Sequence, residues 1–163
     1  MRKRRSYEAG HKPKFLVVID DSPECDRAVY FASRRVVRTG ASLVMLRVIE
    51  PRDRHQQWLG VADIMREEAE EEANAALDTF CARAKAIAGI DAERVIREGI
   101  SAEEILKLIE EDEDILFLVL AAGTQKEGPG PLVTNLCKTA GTFPIPVVIV
   151  PGHLTDEELD SLS

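Results

Sequence analysis

Basic charge is scarce in this chain, and so are cysteine, histidine and long apolar runs. Lys and Arg number 21 against 29 Asp and Glu, a formal net charge of −8. That balance argues against a protein that wraps a nucleic-acid duplex with a broad basic face. The longest apolar stretches, Ile115–Ala122 and Phe15–Ile19, are far too short to cross a bilayer, so no membrane partner is expected. Three cysteines, Cys25, Cys81 and Cys137, lie far apart with no CxxC pair. A zinc ribbon and a thioredoxin-type redox pair are thereby excluded, and the odd count speaks against a secreted disulfide scaffold. Free thiols in a reducing cytosol are the expectation. The opening MRKRRSYEAGHKPK is basic but leads into no apolar h-region, so it is not read as a secretory signal, and a cytoplasmic location is expected. His11, His55 and His153 form no pair at ligand spacing, so no metal site is assigned. No G-x-S-x-G elbow is present and no catalytic residue is assigned.

What is present suits one globular domain. The 163 residues are 45% hydrophobic and 31% charged. Residues 1–14 read as a flexible basic arm, 15–151 as an α/β domain, and 152–163 as a tail carrying a short helix. FLVVID (Phe15–Asp20) is a β-branched apolar run of buried-strand length. Ser22 then reads as an N-cap with Pro23 at the first helical position, and the helix runs to about Thr39, with Gly40 ending it. Cys25, Ala28, Val29, Ala32, Val36 and Val37 would form its inner side. Ser42–Glu50 reads as a second strand and 52–60 as irregular.

A long helix is expected over about Val61–Ala88, with Val61, Ile64, Met65, Ala69, Ala73, Ala76, Leu77, Phe80, Ala84 and Ile87 as one buried stripe. A short strand follows within Ala92–Glu98. Ser101-x-x-Glu104 reads as a capping box opening a helix with Ile105, Leu108 and Ile109 inward. Ile115–Ala122 is the most apolar strand. After it come a glycine-rich loop, a helix from about Pro131 to Ala140, a last strand Val147–Val150, and a short helix signalled by Thr155-x-x-Glu158. Strands alternating with helices imply an α/β fold with a parallel sheet covered on both faces.

In an open sheet of this kind ligands sit beyond the carboxyl ends of the strands. Asp20–Asp21, Val48–Pro51 and Ala122–Pro131 are the positions to watch. The last holds Gly123, Gly128 and Gly130, whose backbone bends freely, and leads into a helix N-terminus suited to an anion. Thr124, Lys126 and Thr134 add donors. No GK[ST] follows, so this is not a Walker loop, and Val133 stands where a dinucleotide fingerprint needs its third glycine. A plain β–α turn is the alternative. Asp20 offers a carboxylate to a ribose hydroxyl or an adenine amino group, or simply closes an Asx turn. Asp20 and the Gly-Pro-Gly bend are expected to open onto one hollow of adenosine-phosphate size. Trp58 reads as packing over the sheet or a subunit contact, with a lid on the adenine side as the alternative.

FLVVIDDS, LVMLRVIEP, REGISAEEILKLIEEDEDILFLVLAAG and PIPVVIVP, in this order and spacing over about Lys14–Pro151, resemble the universal stress protein family. The resemblance implies a three-layer α/β/α sandwich of flavodoxin-like or adenine-nucleotide-hydrolase-like kind. Its five-stranded parallel sheet would have the order 3-2-1-4-5, and the chain would form a homodimer through the last strand. The apolar edge Val147–Val150 independently invites an isologous partner. One branch of the family binds ATP or AMP, with Mg2+ able to accompany the nucleotide. There Asp20 matches the aspartate that meets the nucleotide, Val48 the backbone group that holds adenine, and Gly123 the first glycine of G-x2-G-x9-G-[ST].

The strict spacing would place the second glycine at Lys126, the third at Leu136 and the hydroxyl at Cys137, and none of these fits. Gly128 and Gly130 offer a compressed route, while Pro131 has no N–H to give a phosphate. Ile19, Asp20, Val48, Ala122, Gly123, Thr124, Gly128, Gly130 and Leu132 are therefore the candidate nucleotide contacts. The function expected is a cytoplasmic, nucleotide-responsive regulatory dimer of the stress response, with at most slow hydrolysis. The alternative is a dimeric interaction module of the same fold that binds no nucleotide.

Overall fold

A computed structural model of the chain describes residues 3–51 and 59–163, with side chains from residue 63 onward in the second segment. The strands are β1 (Lys14–Val18), β2 (Ser42–Ile49), β3 (Glu93–Glu98), β4 (Ile115–Ala122) and β5 (Val147–Pro151). The helices are α1 (Cys25–Thr39), α2 (Leu59–Ala88), α3 (Ser101–Glu111), α4 (Pro131–Lys138) and α5 (Asp156–Leu162), with a 3-10 turn at Ala140–Thr142. All pairings are parallel and the sheet order is β3-β2-β1-β4-β5.

β1 lies at the centre, with Leu16 opposite Val44 on one side and Leu118 on the other. Its alternate residues enter two cores. Phe15, Val17 and Ile19 join Leu43, Met45 and Val119 beneath α1, α2 and Leu159 of α5. Leu16 and Val18 join Val44, Leu46, Leu118 and Leu120 beneath α3 and α4. Burial on both faces is why these strands read as unbroken apolar runs. Among the described residues no helix is long and apolar enough to cross a membrane.

Local expectations met competition from tertiary contacts. α1 begins three residues after Ser22: its N-cap is Glu24, whose side chain makes no cap bond. Val37 is 49% exposed and not inward, because the buried side of α1 ends at Val36. The buried stripe of α2 holds at Ala73, Leu77 and Ala84, but Ile64 is 57% exposed, since the first turns of α2 overhang a cavity and not the sheet. No capping box forms at Ser101, because Glu50 from β2 takes both the Ser101 N–H and its hydroxyl, at 3.2 and 2.8 Å. The Thr155–Glu158 box does form. Gly40 adopts the expected left-handed conformation, φ 73°. Trp58 and His55 lie outside the described residues.

Residues 3–13, read as a free arm, are docked against the end of α3. The Arg4 guanidinium donates to the carbonyls of Ile109 and Asp112 at 2.7 and 2.9 Å, and the Arg5 N–H to Glu113 O at 3.0 Å. His11 Nδ1 sits 2.7 Å from Asp114, and Lys14 donates to Asp112 at 2.8 Å. Burial works to lower the Lys14 pKa, but the carboxylates of Asp112 and Glu93 hold it raised. Arg4 thus satisfies carbonyls that the end of α3 leaves without helical partners. Arg4→Ala is expected to cost ~1.5 kcal/mol and lower Tm by about 3–6 °C. Thermal unfolding followed by circular dichroism checks this, and an unchanged Tm would show the arm to be energetically idle.

Candidate functional site

The sheet grows from β1 in one direction through β2 and β3 and in the other through β4 and β5. The switch point therefore lies between β1 and β4, at the strands' carboxyl ends. A cavity of about 850 Å³ opens beside it over β1, β2 and β3, roofed by α2 and flanked by the starts of α3 and α4. Ile19, Asp20 and Asp21 line it just after β1, Arg47 to Pro51 from the end of β2 and the residues after it, Met65 and Ala69 from α2, and Pro131, Leu132 and Asn135 from α4. A second hollow of only about 60 Å³ lies beside it, bounded by Asp20, Ser22, Glu24, Pro129 and Gly130.

The structure therefore divides the expected site. Ile19, Asp20, Val48 and Leu132 come together around the large cavity. Gly130 shares only the small hollow with Asp20 and Leu132, which touch both. Gly123, Thr124, Gly128 and Ala122 line neither. The single hollow common to Asp20 and the Gly-Pro-Gly bend is much smaller than an adenosine phosphate. The reason lies in the loop's own bonding. The Gly123 N–H donates to Pro129 O at 3.0 Å and the Gly128 N–H to Gln125 O at 3.1 Å, which closes the loop on itself. The Ala122 carbonyl accepts from the Gly152 N–H at 2.9 Å.

Asp20 is exposed and organised as an Asx turn, accepting from the Ser22 N–H and hydroxyl at 3.0 and 2.5 Å through Oδ1. Asp21 is gripped by both terminal nitrogens of Arg47, at 3.0 and 3.1 Å. Those hydrogen bonds hold the Asp21 carboxyl below the usual carboxylate range against the opposing pull of desolvation. Arg47 also reaches Ile19 O at 3.4 Å. Among the described lining residues the cavity carries five carboxylates (Asp20, Asp21, Glu50, Glu72 and Glu98) and two guanidiniums (Arg47 and Arg66). Its wall is therefore net acidic.

Two residues matter here that the sequence reading passed over. Arg47 carried a signal: a lone charge inside the apolar run LVMLRVIE is costly to bury unless paired. Glu24 carried none, since it reads as an ordinary first-turn acid, and only the folded chain brings its carboxylate to the glycine loop. Cys25 is no candidate nucleophile, because burial pushes its pKa up to about 12. Among the described residues no group of three or more His, Cys, Asp or Glu is placed to hold a metal ion.

An open parallel sheet with a cavity beyond the carboxyl ends of its strands is a doubly wound α/β architecture. The chain belongs to the universal stress protein family, whose profile matches residues 13–151. The fold is shared with solved members. The universal stress protein UspA from Lactobacillus plantarum is 21% identical, with 85% of this chain and 97% of that one covered and a TM-score of 0.68. A universal stress protein from Arabidopsis thaliana with AMP bound is 19% identical, with 89% and 94% covered and a TM-score of 0.59. The universal stress protein from Archaeoglobus fulgidus in complex with dAMP is 15% identical, with 85% and 97% covered and a TM-score of 0.60. A search of curated proteins returns no match.

An adenine nucleotide, the ligand this family implies, fits these residues in one half only. The cavity has room for a nucleoside, and apolar side chains such as Val48, Met65 and Leu132 stand among its charged ones. The loop does not fit a polyphosphate: its Gly123 and Gly128 N–H groups are taken, Pro131 has none, and a carboxylate stands against it.

Proposed function

We propose that this protein is a cytoplasmic regulatory protein of the stress response that answers to an adenine nucleotide. The adenosine half would be held between Ile19, Asp20, Val48 and Leu132. The observation that carries this reading is the cavity of about 850 Å³ at the carboxyl ends of β1, β2 and β3, beside the switch point, with Asp20 on its wall. Its support from outside the chain is that relatives of the same fold have been solved with AMP and dAMP. The ligand acts by binding one conformation or assembly better than another, which shifts their populations. β5 supplies the second element of the reading. Among the described residues it pairs only with β4, and its Ile149 is 39% exposed, so this edge is the surface for an isologous dimer. Sedimentation at micromolar concentration tests it, and a monomer with and without ligand would remove the dimer.

Titration calorimetry with AMP tests the ligand. Asp20→Asn keeps the oxygen that accepts from Ser22 and removes the charge offered to a ribose hydroxyl or an adenine amino group. It is expected to weaken AMP about tenfold or more, the worth of one hydrogen bond to a charged group, with Tm unchanged. No heat with AMP at millimolar concentration would overturn the reading in favour of an interaction module of the same fold, which the closed loop favours.

A further inference from the structure

The glycine loop is already furnished with an anion, and it belongs to the chain. A Cβ built on Gly123 would lie 2.9 Å from Glu24 Oε1 and 3.4 Å from Oε2, and one on Gly130 would lie 3.6 Å from Oε1. Glu24 Cβ in turn lies 3.2 Å from where Gly152 would carry a Cβ. Two glycines of this loop thus face the Glu24 carboxylate, and Gly152 from the loop after β5 lies against the stem of the same side chain. Glu24 also bounds the small hollow between Asp20 and Gly130.

The same substitution recurs around the cavity rim. The N–H at the start of α3, a natural anion donor, is taken by the Glu50 carboxylate at 3.2 Å. The Ser22 N–H ahead of α1 is taken by Asp20 at 3.0 Å. Arg47, a cation on the cavity wall, is neutralised by Asp21. At these three places a donor or cation that a phosphate could use is already answered by a resident carboxylate.

We propose that Glu24 is a specificity-determining residue that excludes polyphosphate from the loop, so that the ligand class of this site is a nucleoside bearing one phosphate at most. The inference rests on the adenosine-binding reading and names which adenine compounds that site accepts. A triphosphate carries several negative charges. Its distal groups would meet the Glu24 carboxylate at close range, where like charges repel, and the closed loop gives few N–H groups in return. Adenosine places no charge there.

The test is titration calorimetry of the full chain with adenosine, AMP and ATP, for wild type, Glu24→Gln and Glu24→Ala. Circular dichroism establishes that each variant is folded. Wild type is expected to bind adenosine and AMP at least about tenfold more tightly than ATP. Glu24→Gln keeps the side chain's shape and loses its charge. It is expected to tighten ATP about tenfold while adenosine changes less than about twofold. Glu24→Ala gives the same direction should the amide disturb the loop. ATP binding wild type as tightly as AMP, or an ATP-to-adenosine ratio unmoved in both variants, overturns the inference while the adenosine reading stands. Absence of binding by all three ligands overturns both.

Discussion

Gly152→Ala is expected to destabilise the protein far more than Gly123→Ala, although both glycines border the Glu24 side chain. A Cβ at Gly152 would stand 2.3 Å from the backbone oxygen of Ala122, the atom that accepts the Gly152 N–H at 2.9 Å. Nothing there can rotate away, so the end of β5 must part from β4. A Cβ at Gly123 meets the carboxylate of Glu24, Oε1 nearest at 2.9 Å, which is the far end of a flexible side chain. Neither glycine has φ in the left-handed region, so the contrast is steric. Overpacking against fixed backbone costs about 2 kcal/mol, a fall in Tm of roughly 4–8 °C for a chain of this size. Gly123→Ala should stay within about 1 kcal/mol while pushing the Glu24 carboxylate off the loop. Thermal melts of the two variants check the contrast. Equal losses would mean that β5 does not end as tightly against Ala122 as described.

That asymmetry was invisible in the sequence, and the reason is general to this chain. The sheet itself was legible, because FLVVID, LVMLRVIE and ILFLVLAA are buried on both faces and carry that burial as unbroken apolar runs. The amphipathic faces of α1 and α3 were legible for the same reason, as was the Thr155 cap, whose partners lie within its own first turn.

The rim was legible in outline only. Its short polar side chains choose among several partners, and the one that a helix cap would offer lost repeatedly. Ser22 gave its donors to Asp20 instead of capping α1. Ser101 gave its donors to Glu50, 51 positions away, while Glu104 turned to Lys107 and the space left by Gly99. Asp20 and Val48 could be named from the position of strand ends. Glu24 could not, since nothing in the spacing of Glu24, Gly123, Gly130 and Gly152 announces that they meet. The glycines were read as making room for a phosphate; in the folded chain they make room for a glutamate.

Acid should loosen the C-terminal helix first, through Asp26. This carboxylate sits between two guanidiniums, accepting from Arg83 Nε at 2.9 Å and from Arg27 Nη2 at 2.5 Å. Arg27 and Arg83 also reach Asp156 of α5, at 2.7 and 3.7 Å, and both flank the ring of Tyr30 within 5.6 Å. The network thereby ties α5 and its buried Leu159 to α1 and α2. Desolvation works to raise the Asp26 pKa, but the hydrogen bonds from Arg83 and Arg27 outweigh it and hold the carboxyl below its ordinary 3.8.

A depressed folded-state pKa gives stability that is fully present above the unfolded value and is lost as pH falls through the folded one. Asp26→Asn removes that contribution at every pH and leaves Arg27, with a side chain only 15% exposed, short of one partner. Half exposure of the site limits the cost to about 1–2 kcal/mol, or roughly 2–8 °C in Tm near neutral pH. The Tm-against-pH profiles of wild type and Asp26→Asn should run parallel above about pH 5 and converge once pH falls below 3.8. A gap that persisted undiminished into that acid range would show that the aspartate acts through its shape and not its charge.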